Sequence, residues 1–150
     1  MEDILGGGFG ADLLLGGEKA DVISSETGAG TIDEGAGDNT IRGGAGLDFI
    51  LAEAGNDTAA GRLHNESIVG GLGDDSLVGG GRNDVLSSDD TVGGGDGDDT
   101  ISGGTVDDVQ AGGSGDDLMS RGLEHDRLSL ARQPVQRPIR YRSSGLAWTW

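Results

Sequence analysis

The chain has 150 residues, including 32 glycines, 27 aspartates or glutamates and 10 lysines or arginines, which gives a formal net charge of −17. Hydrophobic residues make up 33% of the chain and there is no cysteine, against roughly 45–50% apolar content in ordinary domains. These values exclude a conventional globular core, a disulfide scaffold and, because glycine has no three-residue period, collagen; the acidity also argues against nucleic acid and favours cations as partners.

A nine-residue pattern, G-G-x-G-x-D-x-U-x with U a large apolar residue, runs through the acidic part of the chain. It is complete at residues 7–15, 43–51, 70–78, 94–102 and 112–120. The frame gives thirteen full units, and residues 1–6 and 88–93 fit as units that lack their first three positions. Position six is acidic in 13 of 15 units and position eight is Leu, Ile, Val or Met in 13 of 15. Two residue classes that hold one phase over 128 residues indicate a structural repeat.

The last three positions of a unit predict a three-residue strand with one inward side chain, and the glycine-rich first six predict a turn. Such short strands need neighbours, so the sequence predicts an all-β fold, a parallel solenoid with two units per coil and about seven coils. The apolar residues at position eight are predicted to fill its thin core: Leu14, Ile23, Ile32, Ile41, Ile50, Ile68, Leu77, Leu86, Val92, Ile101, Met119 and Leu128.

The core alone is too small to offset the entropy of ordering a glycine-rich chain. Stacking also places carboxylates from position six in rows one strand spacing apart, where they repel each other. Aspartate carboxylates and turn carbonyls are hard oxygen ligands, which favour Ca²⁺ with its 6–8 oxygen ligands. His64 and His125 are the only histidines and leave little for Zn²⁺. We therefore expect several Ca²⁺ ions.

The repeat resembles the haemolysin-type, or RTX (repeats-in-toxin), calcium-binding nonapeptide over residues 1–128. The resemblance implies a right-handed parallel β-roll in which Ca²⁺ lies between turn n and turn n+2, held by aspartates at position six and by turn carbonyls. Gly30 and Asn39 break the acidic rows, so we expect weaker or empty sites in the N-terminal half. Carried over to this sequence, the metal-site residues are Asp48, Asp57, Gly71, Gly73, Asp75, Asp84, Asp90, Gly95, Gly97, Asp99, Asp108, Gly113, Gly115, Asp117 and Asp126.

The family also implies an extracellular location, export by a type I secretion system and folding where Ca²⁺ is millimolar. Because the chain begins in mid-repeat, we expect a calcium-binding module of a larger secreted protein, joined covalently to an effector domain. Two alternatives stay open: the C-terminal accessory module of a secreted hydrolase or polysaccharide-modifying enzyme, and a segment of an extracellular adhesin. The motifs H-E-x-x-H and G-x-S-x-G are absent, so no catalytic set is expected in the chain itself.

The composition changes near residue 129. Residues 129–150 hold four arginines, both prolines and both tryptophans, but no acidic residue. The sequence therefore divides into a calcium-binding roll at 1–128 and a basic tail at 129–150. The tail could cap the open end of the roll, bind an acidic partner or be disordered.

Overall fold

The computed structural model describes residues 2–88, 91–123, 125–129 and 141–142. All regular structure in these residues is β, and no helix occurs in them. The strands are short, with two to six residues each. They are β1 Ile4–Phe9, β2 Leu13–Gly17, β3 Val22–Thr27, β4 Thr31–Gly35, β5 Thr40–Gly44, β6 Phe49–Leu51, β7 Thr58–Arg62, β8 Ser67–Val69, β9 Ser76–Gly81, β10 Val85–Ser87, β11 Thr91–Asp96, β12 Thr100–Ser102, β13 Val109–Ser114, β14 Leu118–Ser120, β15 Arg127–Ser129 and β16 Tyr141–Arg142.

The strands form two parallel sheets, which we call the odd sheet and the even sheet. The odd sheet contains β1 to β15 in the order of the odd numbers, and the even sheet contains β2 to β14 followed by β16. Successive strands alternate between the sheets, so two nine-residue units complete one coil. The result is a β-solenoid of about seven turns that fits a parallel β-roll, which confirms the predicted fold class.

The strand register follows the repeat length. Most neighbouring strands pair residues that are 18 apart, as Thr40 pairs with Thr58. Across the six-residue unit the spacing falls to 15, so Ser76 pairs with Thr91 and Val85 with Thr100. The solenoid therefore keeps its register through a coil that is three residues short.

The structure places the missing residues of that coil inside the turn and not at its start. Ser88 donates its backbone N–H to the Ser102 carbonyl at 3.2 Å, as Gly70 at position one of its unit donates to Ser87. Ser88 thus occupies position one, and Thr91 begins the next strand. The interpretation of 88–93 as a unit without its first three positions was wrong in this detail.

From β1 to β15 the core is a single file of side chains from each sheet, one at the centre of each strand, and Ala52, between β6 and β7, also packs in it. Each central strand residue is buried between two outward-facing neighbours, as in the exposed–buried–exposed pattern of β10. The predicted core residues are buried, except that Leu128 is only partly buried against the cluster. Leu128 lies on β15, the last strand of the odd sheet, so a neighbouring strand covers it on one side only.

Only two residues of the predicted tail beyond Ser129 are described. They form β16, which pairs in parallel with β14 through Met119–Tyr141 and Ser120–Arg142. Of the four arginines in the tail, Arg132, Arg137 and Arg140 lie outside the described residues, as do Trp148 and Trp150. No helix in the described part of the chain has the length and apolar character to cross a membrane.

Candidate metal centre

The turns stack closely at positions two and four, where most units have glycine and where Glu26, Glu53, Arg62 and Arg82 also adopt positive φ. Gly95 and Gly97 adopt φ of 117° and 140°, a region that L side chains rarely enter. A Cβ at Gly95 would collide with the carbonyl oxygen of Gly80 on the preceding coil, and a Cβ at Gly97 would collide with that of Arg82. The six glycines predicted at the site share positive φ and such carbonyl contacts: Gly71, Gly73, Gly95, Gly97, Gly113 and Gly115.

Residues at position six form one column along each edge of the roll. The first column lies where the chain passes from the odd to the even sheet, and the second where it returns. The first column contains Asp12, Gly30, Asp48, Glu66, Asp84, Asp99 and Asp117, and the second contains Asp3, Asp21, Asn39, Asp57, Asp75, Asp108 and Asp126. The structure thus brings the predicted aspartates together in two columns, while Asp90, predicted for the second column, lies outside the described residues.

Each column is held by hydrogen bonds between successive coils. In the first column the Asp84 N–H donates to Asp99 Oδ1 at 2.8 Å, and the Asp99 N–H donates to Asp117 Oδ1 at 3.1 Å. In the second, the Asp57 N–H donates to Asp75 Oδ1 at 2.9 Å. One carboxylate oxygen of Asp75, Asp99 and Asp117 therefore accepts a backbone N–H from the preceding coil.

The second carboxylate oxygen has no such role at several positions. Oδ2 is buried without a hydrogen-bond partner in Asp12, Asp48, Asp57, Asp84, Asp99 and Asp126. Buried polar atoms are normally paired, and burying an unpaired charge is costly. These unpartnered oxygens are therefore candidate positions for binding a ligand.

Burial changes the proton affinity of the columns. Burial raises the pKa of Asp99 to about 6, although the N–H of Asp84 lowers it, and the charges of Asp84 and Asp117 raise it further. Burial likewise raises the pKa of Asp57 to about 6 and that of Glu66 to about 8. Without a bound cation, the like charges of each column are buried away from water. The carboxylates then bind protons more readily, which removes part of that charge.

The available ligands fit a hard cation. No three His, Cys, Asp or Glu side chains converge on one point within the described ranges, so an ion between coils would need backbone carbonyls besides its carboxylates. The turn carbonyls at positions two and four abut the next coil. The His64 Nδ1 already accepts the N–H of Gly46 at 3.1 Å. Carboxylate and carbonyl oxygens together suit Ca²⁺, which accepts 6–8 oxygens in flexible geometry.

The two interruptions of the columns are accompanied by changes at position one. A Cβ at Gly43 would lie 2.6 Å from Asp48 Oδ2, so a carboxylate at position six normally occupies the space above position one. Where position six is Gly30 or Asn39, position one is Ser25 or Glu34, and both of these side chains are buried. Neither residue was among the predicted site residues, although each lies five residues before an interruption that is visible in the sequence.

The family comparison agrees with this geometry. The model for the RTX calcium-binding nonapeptide repeat (four copies) matches at residues 2–33, 35–59, 60–90, 86–110 and 93–128. A search of curated proteins found no match. The matched segments span most of the chain and coincide with the coils that carry the two columns. The chain belongs to the RTX calcium-binding nonapeptide repeat family.

Proposed function

We propose that this chain is a calcium-binding β-roll module that folds when Ca²⁺ binds. The observation that carries the proposal is the pair of columns, in which several buried carboxylates, among them those of Asp48, Asp57, Asp84 and Asp99, keep Oδ2 without a hydrogen-bond partner. Bound Ca²⁺ would supply positive charge and accept those oxygens. Since an unfolded chain has no preformed site, the free energy of binding would become free energy of folding.

The sites we propose lie between neighbouring members of one column. In the first column they involve Asp48 and the run Asp84, Asp99 and Asp117. In the second they involve the row Asp57, Asp75, Asp90, Asp108 and Asp126, of which Asp90 lies outside the described residues. The carbonyls of the stacked turns, including those of Gly71, Gly73, Gly95, Gly97, Gly113 and Gly115, would complete the oxygen shell. The buried Oδ2 atoms of Asp48, Asp57, Asp84, Asp99 and Asp126 support these assignments, and so does the close approach of successive turns.

We further infer that the module works outside the cell as part of a larger secreted protein. RTX repeats occur in secreted proteins, and extracellular calcium modules bind at roughly 10⁻⁴–10⁻³ M. A chain with such affinity would stay unfolded at cytosolic Ca²⁺ and fold after export, which suits passage through a type I secretion system. The role we assign to the module is structural and not catalytic.

The test is far-UV circular dichroism of the full chain during titration with Ca²⁺, with Mg²⁺ as control. We expect a cooperative change from coil to β near millimolar Ca²⁺ and no comparable change with Mg²⁺, which demands a tighter octahedral shell. A spectrum that does not respond to Ca²⁺, or responds equally to Mg²⁺, would contradict the proposal.

A further inference from the structure

Glu34 stands where the repeat has glycine. It occupies position one of unit 34–42, and Asn39 occupies position six of the same unit. The side chain of Glu34 is 0% exposed, and neither carboxylate oxygen has a hydrogen-bond partner. Burying a carboxylate with two unpartnered oxygens is costly in free energy. A bound ligand would offset that cost.

The position of Glu34 directs it into the second column. A Cβ at position one points at the carboxylate of position six in its own unit: 2.6 Å from Asp12 Oδ2 at Gly7 and 3.2 Å from Asp21 Oδ2 at Gly16. A longer side chain that starts there enters the same space. The charges of Asp57 and Asp21, which flank Asn39 in the column, are accordingly the two strongest charges acting on Glu34.

The other interrupted unit shows that burial at position one does not by itself create a site. Ser25 lies at position one of the unit in which Gly30 takes position six. Its hydroxyl donates to the carbonyl of Gly43 and also lies 3.2 Å from Asp48 Oδ1. Ser25 thus fills the space with a neutral, paired group, whereas Glu34 fills the equivalent space with an unpaired acid.

Asn39 can make the hydrogen bonds that join position six of successive coils, but it lacks the negative charge of an aspartate. Its Oδ1 accepts the N–H of Asp21 at 2.8 Å, and its own N–H donates to Asp57 Oδ1 at 2.7 Å. The Oδ2 atom of Asp57 remains buried and unpartnered. Asn39 therefore makes the backbone hydrogen bonds of a position-six aspartate, and Glu34 carries the carboxylate.

We propose that Glu34 supplies the carboxylate that Asn39 lacks and, together with Asp57, forms a Ca²⁺ site in the N-terminal half of the second column. This inference deepens the proposed function and rests on it. It replaces the expectation that the interruption at Asn39 leaves a weak or empty site. The remaining ligands would be turn carbonyls, as elsewhere in the column.

The test compares the number of Ca²⁺ ions bound per chain, measured by equilibrium dialysis at saturating Ca²⁺. Glu34→Gln keeps the shape of the side chain and removes its charge, and should bind one ion fewer than the wild type. Glu18→Gln is the matched control, because Glu18 is exposed, and should bind the wild-type number. The double variant Glu34→Gly/Asn39→Asp restores the repeat pattern and should recover the missing ion.

The outcomes separate this inference from the proposed function. If the wild type binds no Ca²⁺, the proposed function fails. If the wild type binds Ca²⁺ and Glu34→Gln binds the same number with the same affinity, only the role of Glu34 is overturned. A loss in Glu34→Gln that the double variant does not restore would also overturn it, because the loss would then reflect damage to the fold.

Discussion

At the scale of single residues, several column aspartates divide their two carboxylate oxygens between separate roles. In Asp57, Asp84 and Asp99 one oxygen or the backbone N–H takes part in the hydrogen bonds between coils, and Oδ2 is buried without a hydrogen-bond partner. The two roles differ chemically, since an amide oxygen can accept the hydrogen bond but cannot supply charge. Asn39, which keeps its place in the ladder, is the natural example within this chain.

This division predicts the effect of Asp99→Asn. The variant keeps an oxygen for the N–H of Asp84 but loses the charge that faces the ligand, so the fold should form at a higher Ca²⁺ concentration and less cooperatively. Contacts of a charged group contribute about 1.5–3 kcal/mol, a roughly ten- to hundredfold loss of affinity. A calcium titration monitored by circular dichroism measures this loss of affinity. Asp98→Asn, at an exposed neighbour, should change little; equal titrations of Asp99→Asn and the wild type would refute the assignment.

The close stacking of the turns is a second feature at this scale, and it is tightest at individual glycines such as Gly95. Gly95 combines φ of 117° with contact to the Gly80 carbonyl, so Gly95→Ala should destabilise the calcium-loaded roll by about 1–3 kcal/mol or more. Gly81→Ala is the control, because its Cβ would lie 3.6 Å from the nearest atom, the Arg62 carbonyl oxygen. Urea unfolding in saturating Ca²⁺ compares them, and similar midpoints would argue against the stacked-turn geometry.

At the scale of elements, each strand from β1 to β15 contributes one central side chain to the core. A polar residue at that position therefore leaves its strand without an apolar core side chain. In β13 that side chain is Gln110, which is 0% exposed. Its Nε2 donates to the Ser120 carbonyl at 3.1 Å, but its Oε1 is buried without a partner. The strand therefore carries a polar residue whose hydrogen bonds are only half satisfied.

We expect Gln110→Met to stabilise the roll by about 1 kcal/mol. The change preserves side-chain length and removes an unsatisfied buried oxygen, whose burial costs about 1–3 kcal/mol, while the Ser120 carbonyl loses one donor. The free energy of unfolding in Ca²⁺ is the measurement. A destabilised variant would show that the bond to Ser120 outweighs the unsatisfied oxygen.

At the scale of the whole molecule, the roll is an array of buried acids in which protons and Ca²⁺ compete. Burial raises the pKa of Asp57 and Asp99 from 3.8 to about 6, and that of Glu34 and Glu66 from 4.5 to about 8. A raised pKa means that the folded chain holds protons that the unfolded chain has released. The metal-free roll is therefore destabilised as pH rises from about 4 to about 8.

Calcium should reverse this dependence, because it binds the deprotonated carboxylates and releases their protons. In chelator we expect the β signal to be stronger near pH 5 than near pH 8, and at pH 8 we expect Ca²⁺ to restore it. Circular dichroism at both pH values, with and without Ca²⁺, checks the prediction. A metal-free chain that is more folded at pH 8 than at pH 5 would contradict it.

The sequence by itself determined the coil, the core and the columns, because a strict period makes residues 18 apart into neighbours. The positions of Ile50, Asp57 and Gly95 follow from their phase in the repeat. No side-chain contact is needed to place them, and the parallel register and the buried core residues of both sheets confirm their positions.

Only the tertiary structure decided what happens where the period fails. It placed Ser88 at position one of the short coil, buried Glu34 beside Asn39, and gave Gln110 a partner in Ser120. The physical reason is that a residue outside the pattern is positioned by contacts with neighbouring coils, and a repeat phase does not specify those contacts. The unpartnered carboxylate oxygens of the columns belong here too, because their burial is a property of the stacked coils and not of any one unit.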